Sequence, residues 1–379
     1  MQTNAELVPP PPVVARAKDV CLTGTDFRLG YRPSLDSLRA VAILSVLAVH
    51  TIHVYGWPLL KGGSLGVDVF FVLSGFLITS LLLEEWGGDG QINLRNFYLR
   101  RALRLVPALV ALLTVLFFTA HLLLAPAEAA RTLRAFPISF LYLSDLAIAF
   151  GDNHQLGALK HTWSLAVEEQ FYLLWPPLFY LALKSGLSRR TIFGLTLLLI
   201  VAAVLHRAAL WEGPVSIPRT YYSIDTRADA LLVGCATGMA LSWGFVRACP
   251  GWLAALAVLT LEFMLLFTDY ATPFMHKGGF TVAAVATSCV IVGVLLRPSG
   301  LFRGVLEARA LVWVGRVSYG LYLWHYPSFK AVQYLSAPWP VKLAVALIVT
   351  FAVTAFSFYL LEKPILRLKS RYAARPAEV

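Results

Sequence analysis

The sequence predicts an all-α fold: a polytopic membrane helix bundle of about ten transmembrane helices, with a short re-entrant or interfacial segment near 136–150. The 379 residues are 58% hydrophobic and only 14% charged, and their mean hydropathy is +0.69. A soluble domain cannot bury that much apolar side chain. Several stretches, including 105–126 and 280–296, exceed the roughly 18 apolar residues that indicate a spanning helix.

Charge orients the predicted bundle. An even number of spans puts both termini on one side, and that side carries most of the 32 Lys and Arg residues. Both termini are therefore expected in the cytoplasm. Segment 136–150 is short and contains Asp145, and as a span it would move the basic loop 184–190 outside. The expected spans are about 36–57, 66–83, 104–124, 163–183, 191–209, 229–245, 251–269, 279–296, 314–333 and 339–361.

One membrane domain accounts for most of the chain. Residues 1–34 are Pro-rich and lack the apolar core of a secretory signal, so they are expected to be a disordered cytoplasmic tail. The membrane domain covers 35–368, and 369–379 form a cytoplasmic C-terminal tail. The net charge of +11 matches basic cytoplasmic loops, so no nucleic-acid partner is predicted. The Cys and His residues lack metal-ligand spacing, so we expect no metal and no permanently bound cofactor.

The first predicted helix carries ionisable residues, which are costly in a bilayer and are seldom without a function. At about 100° per residue, Arg39 and His50 share one helix face, about 16 Å apart along the axis. Asp36 lies one turn before Arg39. A snorkelling arginine is the simpler interpretation of Arg39. For His50 we favour a functional role, because imidazole accepts a proton near neutral pH and suits a general base.

A second stripe begins the fourth span, in HTWSLAVEEQFYLLWP (161–176). Helical spacing puts His161, Ser164 and Glu168 on one face, and the neighbouring Glu169 points elsewhere. The structural alternative is an interfacial helix start with a tryptophan anchor. The functional hypothesis is that a carboxylate on this stripe orients His50 and stabilises its imidazolium form.

An arginine cluster follows in NFYLRRALRLVPAL (96–109). Arg100, Arg101 and Arg104 resemble an ordinary positive flank of a span. They also suit a phosphate clamp, because a guanidinium binds phosphate oxygens in a bidentate manner.

Three further helices carry polar residues whose roles stay open. Asp68 and Ser74 interrupt an apolar run, where Gly75 is more typical of close helix packing. Arg227, between Asp225 and Asp229, fits an ion-pair network or a substrate contact equally well. Tyr322 and His325 lie on one face of the segment VSYGLYLWHYP (317–327), where His325 is either a structural or a functional histidine.

Taken alone, these residues predict polar groups converging on His50, with arginines at the cytoplasmic mouth. That pattern fits a membrane enzyme that draws a phosphate-bearing donor from the cytoplasm. It also fits a proton-coupled transporter, although the sequence has no obvious inverted repeat. A purely structural scaffold is a third possibility, and it predicts that replacing His50 leaves function intact.

The ordered motifs resemble the acyltransferase-3 family of integral membrane O-acyltransferases. They are Arg39-x10-His50, GVDVFFVLSGFLI, FYLRRALRLVPA, HTWSLAVEEQFYLLWP, DTRADALLVG, SYGLYLWHYP and a terminal LEKP, and they extend from about residue 34 to 368.

The resemblance implies a ten-helix, multi-pass enzyme of the cell inner membrane. Such an enzyme moves an acyl group, often acetyl, from acyl-CoA to a sugar hydroxyl of a polysaccharide, lipopolysaccharide or other glycoconjugate. It implies that His50 is essential, as base or acyl carrier, with Arg39 as its paired basic residue and Glu168 near the site. The arginine cluster would bind the donor. The runner-up is a proton-coupled glycoconjugate exporter, and the oligomeric state stays open.

Overall fold

The structure is a computed structural model of the 379-residue chain, and it describes residues 28–52, 56, 59–151, 156–297 and 301–368. These residues form helices joined by turns and short 3-10 or π segments, and they contain no β-strand. The predicted all-α class is confirmed.

The helices of the described residues are numbered α1 to α16 in chain order. They are α1 Pro33–His50, α2 Leu65–Asp89, α3 Leu94–Leu122, α4 Pro126–Phe140, α5 Ser144–Phe150, α6 Trp163–Lys184, α7 Arg189–Ala209, α8 Ile217–Tyr222, α9 Ile224–Ser242, α10 Gly251–Phe267, α11 Phe280–Leu296, α12 Leu301–Leu306, α13 Arg309–Arg316, α14 Ser318–Ala331, α15 Trp339–Ser357 and α16 Lys363–Leu366.

Six helical stretches of the described chain are long and apolar enough to cross a membrane, which indicates a multi-pass membrane protein. The expected count of about ten is not confirmed. Four expected spans are helical but differ in character: α10 has 17 residues and α14 has 14, while α6 and α9 carry several charged side chains. The six are α1, Lys61–Gly88, α3, α7, Met275–Leu296 and Trp339–Leu366.

The segment predicted to be re-entrant or interfacial is a bent helix pair. α4 and α5 meet at 117°, the geometry of a broken span or a re-entrant loop. Tyr142 lies at the break with φ 55°, a left-handed backbone that is uncommon outside glycine. Gln170 of α6 donates from Nε2 to the Tyr142 carbonyl at 2.8 Å and to Asp145 Oδ1 at 2.7 Å. The bend is thereby fastened to α6.

Glycines let the central helices approach closely. A Cβ atom on Gly75 of α2 would lie 1.9 Å from the Leu231 carbonyl oxygen of α9. A Cβ atom on Gly234 of α9 would lie 2.1 Å from the Val72 carbonyl oxygen of α2. Small residues are the usual means of close backbone contact between membrane helices. The packing role predicted for Gly75 is confirmed.

Part of the predicted N-terminal tail is packed against the bundle. Residues 1–27 and the predicted C-terminal tail, 369–379, lie outside the described residues. Leu29 is only 3% exposed, and its backbone N–H donates to Glu84 Oε1 at 2.6 Å. The Tyr31 hydroxyl donates to Asp36 Oδ2 at 2.8 Å and accepts from Arg316. Described residues before α1 therefore bind α1, α2 and α13.

The close contact of α2 with α9 generates a stability prediction. Gly75→Ala should lower the free energy of unfolding by about 1–3 kcal/mol, because overpacking forces backbone shifts. Gly194→Ala in α7 is the matched control, since a Cβ there meets no atom within 4 Å. It should be neutral or stabilising by up to about 1 kcal/mol. Thermal unfolding in detergent measures both, and equal shifts in the two variants would contradict the proposed role of the contact.

Candidate active site

A cavity with both polar and apolar lining lies among α1, α2, α3, α6 and α14, and each of these helices contributes side chains to its wall. It holds about 620 Å³ of empty space, counting the part open to solvent. The polar lining consists of Arg39, Ser74, Arg101, Arg104, Ser164, Glu168, Tyr172, Ser318, Tyr319 and Tyr322.

The Glu168 carboxylate contacts polar side chains from three of the helices that line this cavity. Ser74 of α2 donates to Glu168 Oε1, and the Tyr172 hydroxyl donates to the same oxygen at 2.7 Å. Arg101 Nη2 lies 3.7 Å from that oxygen, and Arg101 Nε donates to Glu169 Oε1 at 2.8 Å. The Arg101 guanidinium also stacks 3.1 Å from the centre of the Tyr172 ring. Two carboxylates therefore balance the charge of Arg101.

The positive charges of the other two cavity arginines, Arg39 and Arg104, are less balanced by nearby carboxylates. Arg39 Nη1 lies 3.8 Å from Asp36 Oδ1, which is a loose ion pair. Arg104 forms no hydrogen bond or ion pair with any residue in the described ranges. Two guanidinium groups with spare donors facing one cavity can bind an anionic ligand, because guanidinium suits phosphate and carboxylate oxygens.

Arg100, the third arginine of the predicted phosphate clamp, lies outside the cavity. Arg100 Nη2 is 3.6 Å from Glu85 Oε2, and Arg100 is absent from the cavity wall. Because Arg100 and Arg101 are adjacent on α3, they point about 100° apart, and only one of them can face the cavity.

Three histidines from distant parts of the chain form a cluster. The His50 ring, at the end of α1, is 4.8 Å from the His325 ring of α14 and 5.3 Å from the Tyr326 ring. His161, in the turn before α6, is 5.5 Å from His325 and stacks on Tyr326 at 5.1 Å. The three predicted site histidines are therefore neighbours, although more than 100 residues separate each from the next in sequence.

Backbone contacts fix the tautomers in this cluster. His50 Nδ1 is 2.7 Å from the Val46 carbonyl oxygen, which can only accept a hydrogen bond. Nδ1 therefore carries the hydrogen, and in the neutral ring the lone pair is on Nε2. His325 Nδ1 donates in the same way to the Tyr322 carbonyl at 2.7 Å. Burial, and then the nearby His50, lower the pKa of His161 to about 3, so His161 is neutral at physiological pH.

Tyr322 links the cavity to the cluster. Its hydroxyl donates to the His161 carbonyl at 2.9 Å and lies 2.5 Å from Ser164 Oγ, which therefore donates to it. The Tyr322 ring is 5.4 Å from His325. Since Tyr322 and Ser164 also line the cavity, Tyr322 connects the cavity wall to His161 and His325. His50 itself is absent from the cavity wall.

Three predicted site residues have other partners. Asp68 of α2 and Arg227 of α9 form an ion pair at 2.7 Å, and both side chains are fully buried. The Arg227 guanidinium also lies 3.9 Å from the centre of the Phe280 ring. Asp36 accepts from Tyr31 and lies 3.8 Å from Arg316. Of the two roles considered for Arg227, the structure shows the ion pair. None of the three residues lines the cavity.

Three tyrosines of the site, Tyr172, Tyr319 and Tyr326, were not predicted. Tyr172 follows Glu168 by four residues, a spacing that places both on one helix face, so the sequence contained that signal. Tyr326 is adjacent to His325, and its position between His50 and His161 depends on tertiary packing that no local spacing predicts.

The fold and the site define a class: a helical, multi-pass membrane protein with an arginine-lined cavity next to a histidine cluster, in which His161 and His325 are buried and His50 is half-buried. The family model described as "Acyltransferase domain" matches residues 32–362. The match covers most of the chain, so the chain belongs to this acyltransferase family, as the motifs predicted.

Curated relatives agree with this family. The peptidoglycan O-acetyltransferase OatA of Listeria monocytogenes is 34% identical, over 90% of this chain and 57% of the relative. The O-acetyltransferase OatA of Staphylococcus aureus (strain NCTC 8325) is 32% identical, over 88% and 57%. YrhL of Bacillus subtilis is 36% identical, over 88% and 55%. The chain thus spans little more than half the length of these relatives, and no solved structure matches it.

The buried ion pair of α2 and α9 generates a second stability prediction. Asp68→Leu should destabilise the protein by about 3–5 kcal/mol, because it leaves Arg227 charged, buried and unpaired. The double variant Asp68→Leu/Arg227→Met should recover most of that loss. Thermal unfolding in detergent measures both. A double variant as unstable as the single one would show that the pair does not act as a unit.

Proposed function

We propose that this protein transfers an acyl group, in particular acetyl, from acyl-CoA to a sugar hydroxyl of a cell-wall glycan. The names of the relatives support a peptidoglycan acceptor. The observation that carries the proposal is a series of side-chain contacts between the cavity of Arg39 and Arg104 and the base. It runs from Ser164 to Tyr322, then to His325, and from His325 to His50. It joins an anion-binding cavity to a nitrogen base inside one helix bundle.

The donor is assigned to the arginine cavity. Coenzyme A carries several phosphates, and Arg39 and Arg104 offer guanidinium donors that face the same space. Arg101, balanced by Glu168 and Glu169, has the role of ordering that wall. Glu168 is thereby a positioning residue of the donor cavity in this proposal. Arg100, which is paired with Glu85, lies outside the donor cavity in this proposal.

His50 has one of two roles. In direct transfer, Nε2 removes the proton of the acceptor hydroxyl while the oxygen attacks the thioester carbonyl. The C–S bond breaks, and the CoA thiolate leaves and takes that proton. In the two-step route, Nε2 attacks the thioester carbonyl, the C–S bond breaks and CoA leaves as the thiolate, so that His50 becomes an acyl-imidazolium with its hydrogen still on Nδ1. The acceptor hydroxyl then attacks the acyl carbon, the bond from that carbon to Nε2 breaks, and the hydroxyl proton ends on the CoA thiolate, which regenerates neutral His50.

The membrane arrangement belongs to the same proposal. The chain crosses the inner membrane about ten times, counting the shorter and more charged helices, with both termini in the cytoplasm. Arg39, near the start of α1, then lies toward the cytoplasm, where acyl-CoA is made, and His50 lies deeper. The acyl group crosses between the helices to an acceptor on the outer side.

The role of His50 is tested by label transfer. The purified chain is given acetyl-CoA with a labelled acetyl group, and free CoA and protein-bound label are followed. His50→Ala should reduce both by at least about 100-fold, the usual contribution of a general base. His121→Ala is the matched control, because its Nδ1 also binds the carbonyl four residues earlier, at 2.9 Å, but its side chain is exposed.

Label on the protein that disappears in His50→Ala would favour the two-step route. CoA release that requires a sugar acceptor, without protein label, would favour direct transfer. If the wild-type protein neither releases CoA nor acquires label with candidate sugars, the acyltransferase proposal fails. Glycoconjugate flux across vesicles without chemical change would then favour a proton-coupled exporter.

The donor cavity is tested by comparing two arginines. Arg104→Ala should raise the KM for acetyl-CoA about 10- to 100-fold, because a hydrogen bond to a charged group contributes about 1.5–3 kcal/mol. Arg100→Ala removes the same charge from the same helix, outside the cavity, and should change KM less than about threefold. Equal effects of the two variants would mean that general surface charge, rather than the cavity, attracts the donor.

A further inference from the structure

A short segment before α1, residues 29–32, is held in place by contacts of its own backbone. The Leu29 backbone N–H donates to Glu84 Oε1 of α2 at 2.6 Å, and the Leu29 side chain is buried. Arg32 Nε donates to the Leu29 carbonyl oxygen at 3.0 Å. Tyr31 lies inside this segment, so its hydroxyl is held beside the first turn of α1.

The Asp36 carboxylate, in the first turn of α1, is shared by three side chains. The Tyr31 hydroxyl donates to Oδ2 at 2.8 Å, Arg316 Nε of α13 lies 3.8 Å from the same oxygen, and Arg39 Nη1 lies 3.8 Å from Oδ1. Arg316 also donates to the Tyr31 hydroxyl, from Nε at 3.1 Å and from Nη2 at 2.6 Å. Of the three partners, Tyr31 alone is within hydrogen-bond distance of the carboxylate.

Close packing fixes the backbone around this carboxylate. A Cβ atom on Gly315 of α13 would lie 1.7 Å from the Asp36 carbonyl oxygen, so α13 lies directly against α1. Ser37 Oγ donates to the Leu306 carbonyl oxygen, which adds a contact between α1 and α12. The backbones that carry Asp36 and Arg316 therefore keep one relative position. Rotation of the Asp36 side chain then decides which partner its oxygens approach.

Arg39 is the partner of Asp36 on which donor binding depends. It lines the cavity, and its distance of 3.8 Å from Asp36 leaves guanidinium donors for a phosphate oxygen. A carboxylate that moves closer to Arg39 competes with that phosphate, because both anions bind the same donors. The contacts of Tyr31 and Arg316 with the other carboxylate oxygen oppose this movement.

We propose that residues 29–32 regulate the affinity of the donor cavity. Tyr31, supported by Arg316, holds the Asp36 carboxylate away from the cavity arginine, which keeps that guanidinium available for a phosphate group. These three are positioning residues, since they act through Arg39 and lie outside the cavity wall. The proposal rests on the donor cavity proposed above and deepens it, because it names a regulator of that cavity. By linkage, a bound donor in turn stabilises the docked segment.

The test measures the Kd of coenzyme A by calorimetry for the purified full chain and its variants. Tyr31→Phe removes the hydrogen bond that holds Asp36, so it should raise Kd about two- to fivefold, the range of a partly exposed charge interaction. Asp36→Asn removes the competing charge, so it should lower Kd by a similar factor. In the double variant Tyr31→Phe/Asp36→Asn no carboxylate is left to hold, and Kd should equal that of Asp36→Asn.

The opposite signs distinguish this regulation from a structural role. Damage to the fold weakens binding in both single variants, so a higher Kd in Asp36→Asn would overturn the proposal, as would an unchanged Kd in Tyr31→Phe. Tyr334→Phe and Glu128→Gln are the matched controls, because the Tyr334 hydroxyl also donates to a carboxylate, that of Glu128, at 3.0 Å. Both residues lie outside the cavity wall, and both variants should leave Kd unchanged.

Arg316→Gln tests the same interaction without altering α1 or the segment before it. It should raise Kd as Tyr31→Phe does, because Asp36 loses a positive charge on the side away from the cavity. Arg309→Gln removes an exposed arginine from the same helix and should leave Kd unchanged. Equal increases in these two variants would mean that general charge attracts the donor, and would overturn the proposal.

A second probe separates this proposal from the acyltransferase proposal. Inorganic pyrophosphate is titrated in place of coenzyme A, and label transfer is measured for each variant. Opposite shifts of the pyrophosphate Kd in Tyr31→Phe and Asp36→Asn, without acetyl transfer by the wild-type protein, would preserve the regulation and reject the acyltransferase function. Acetyl transfer with a Kd that neither variant changes would do the reverse. Binding of neither anion would overturn the regulation, because Arg39 would then receive no anion.

Discussion

The rest of the site depends on the hydrogen bonds that the Glu168 carboxylate accepts. Polar side chains inside a membrane protein must find partners within the protein, because lipid offers none. Ser74 of α2, Tyr172 of α6 and Arg101 of α3 all meet at Glu168 Oε1. The contacts that satisfy these groups also hold three helices at a fixed spacing. Packing and cavity shape are therefore set by the same carboxylate.

That carboxylate also decides which positive charge remains available. Arg101 is bonded to Glu169 and stacked on Tyr172, so its donors and its charge are already engaged. Arg39 and Arg104 face the same cavity with at most a loose partner. Arg101 therefore has a structural role, whereas Arg39 and Arg104 are suited to bind a ligand. A count of arginines in the sequence motif cannot make that distinction, because it depends on which carboxylate each guanidinium reaches.

Local pattern predicted the helical class and the packing role of Gly75, and it set the segment 136–150 apart from the expected spans. It predicted polar groups converging on His50 but could not fix the distances among His50, His161 and His325, because long-range packing sets the distances between segments that are far apart in sequence. It also left Asp68 and Arg227 undecided, since an ionisable residue in an apolar helix looks the same whether it meets a substrate or another helix. The number of spans was the weakest prediction. α9 carries Arg227 and Asp229, which the bundle buries, and α6 carries the half-buried Glu168 and Glu169, so hydropathy alone does not separate a charged span from a helix packed inside the bundle.

The position of the site along the chain bears on what the membrane domain does by itself. Every residue of the cavity and the histidine cluster lies between Arg39 and Tyr326, inside the matched segment 32–362. Donor binding and the base, as proposed, both draw on this segment. The two groups also follow one another along α14, from Ser318 through Tyr322 to His325. One helix therefore carries residues of both the donor cavity and the histidine cluster, and a shift of that helix would move both together.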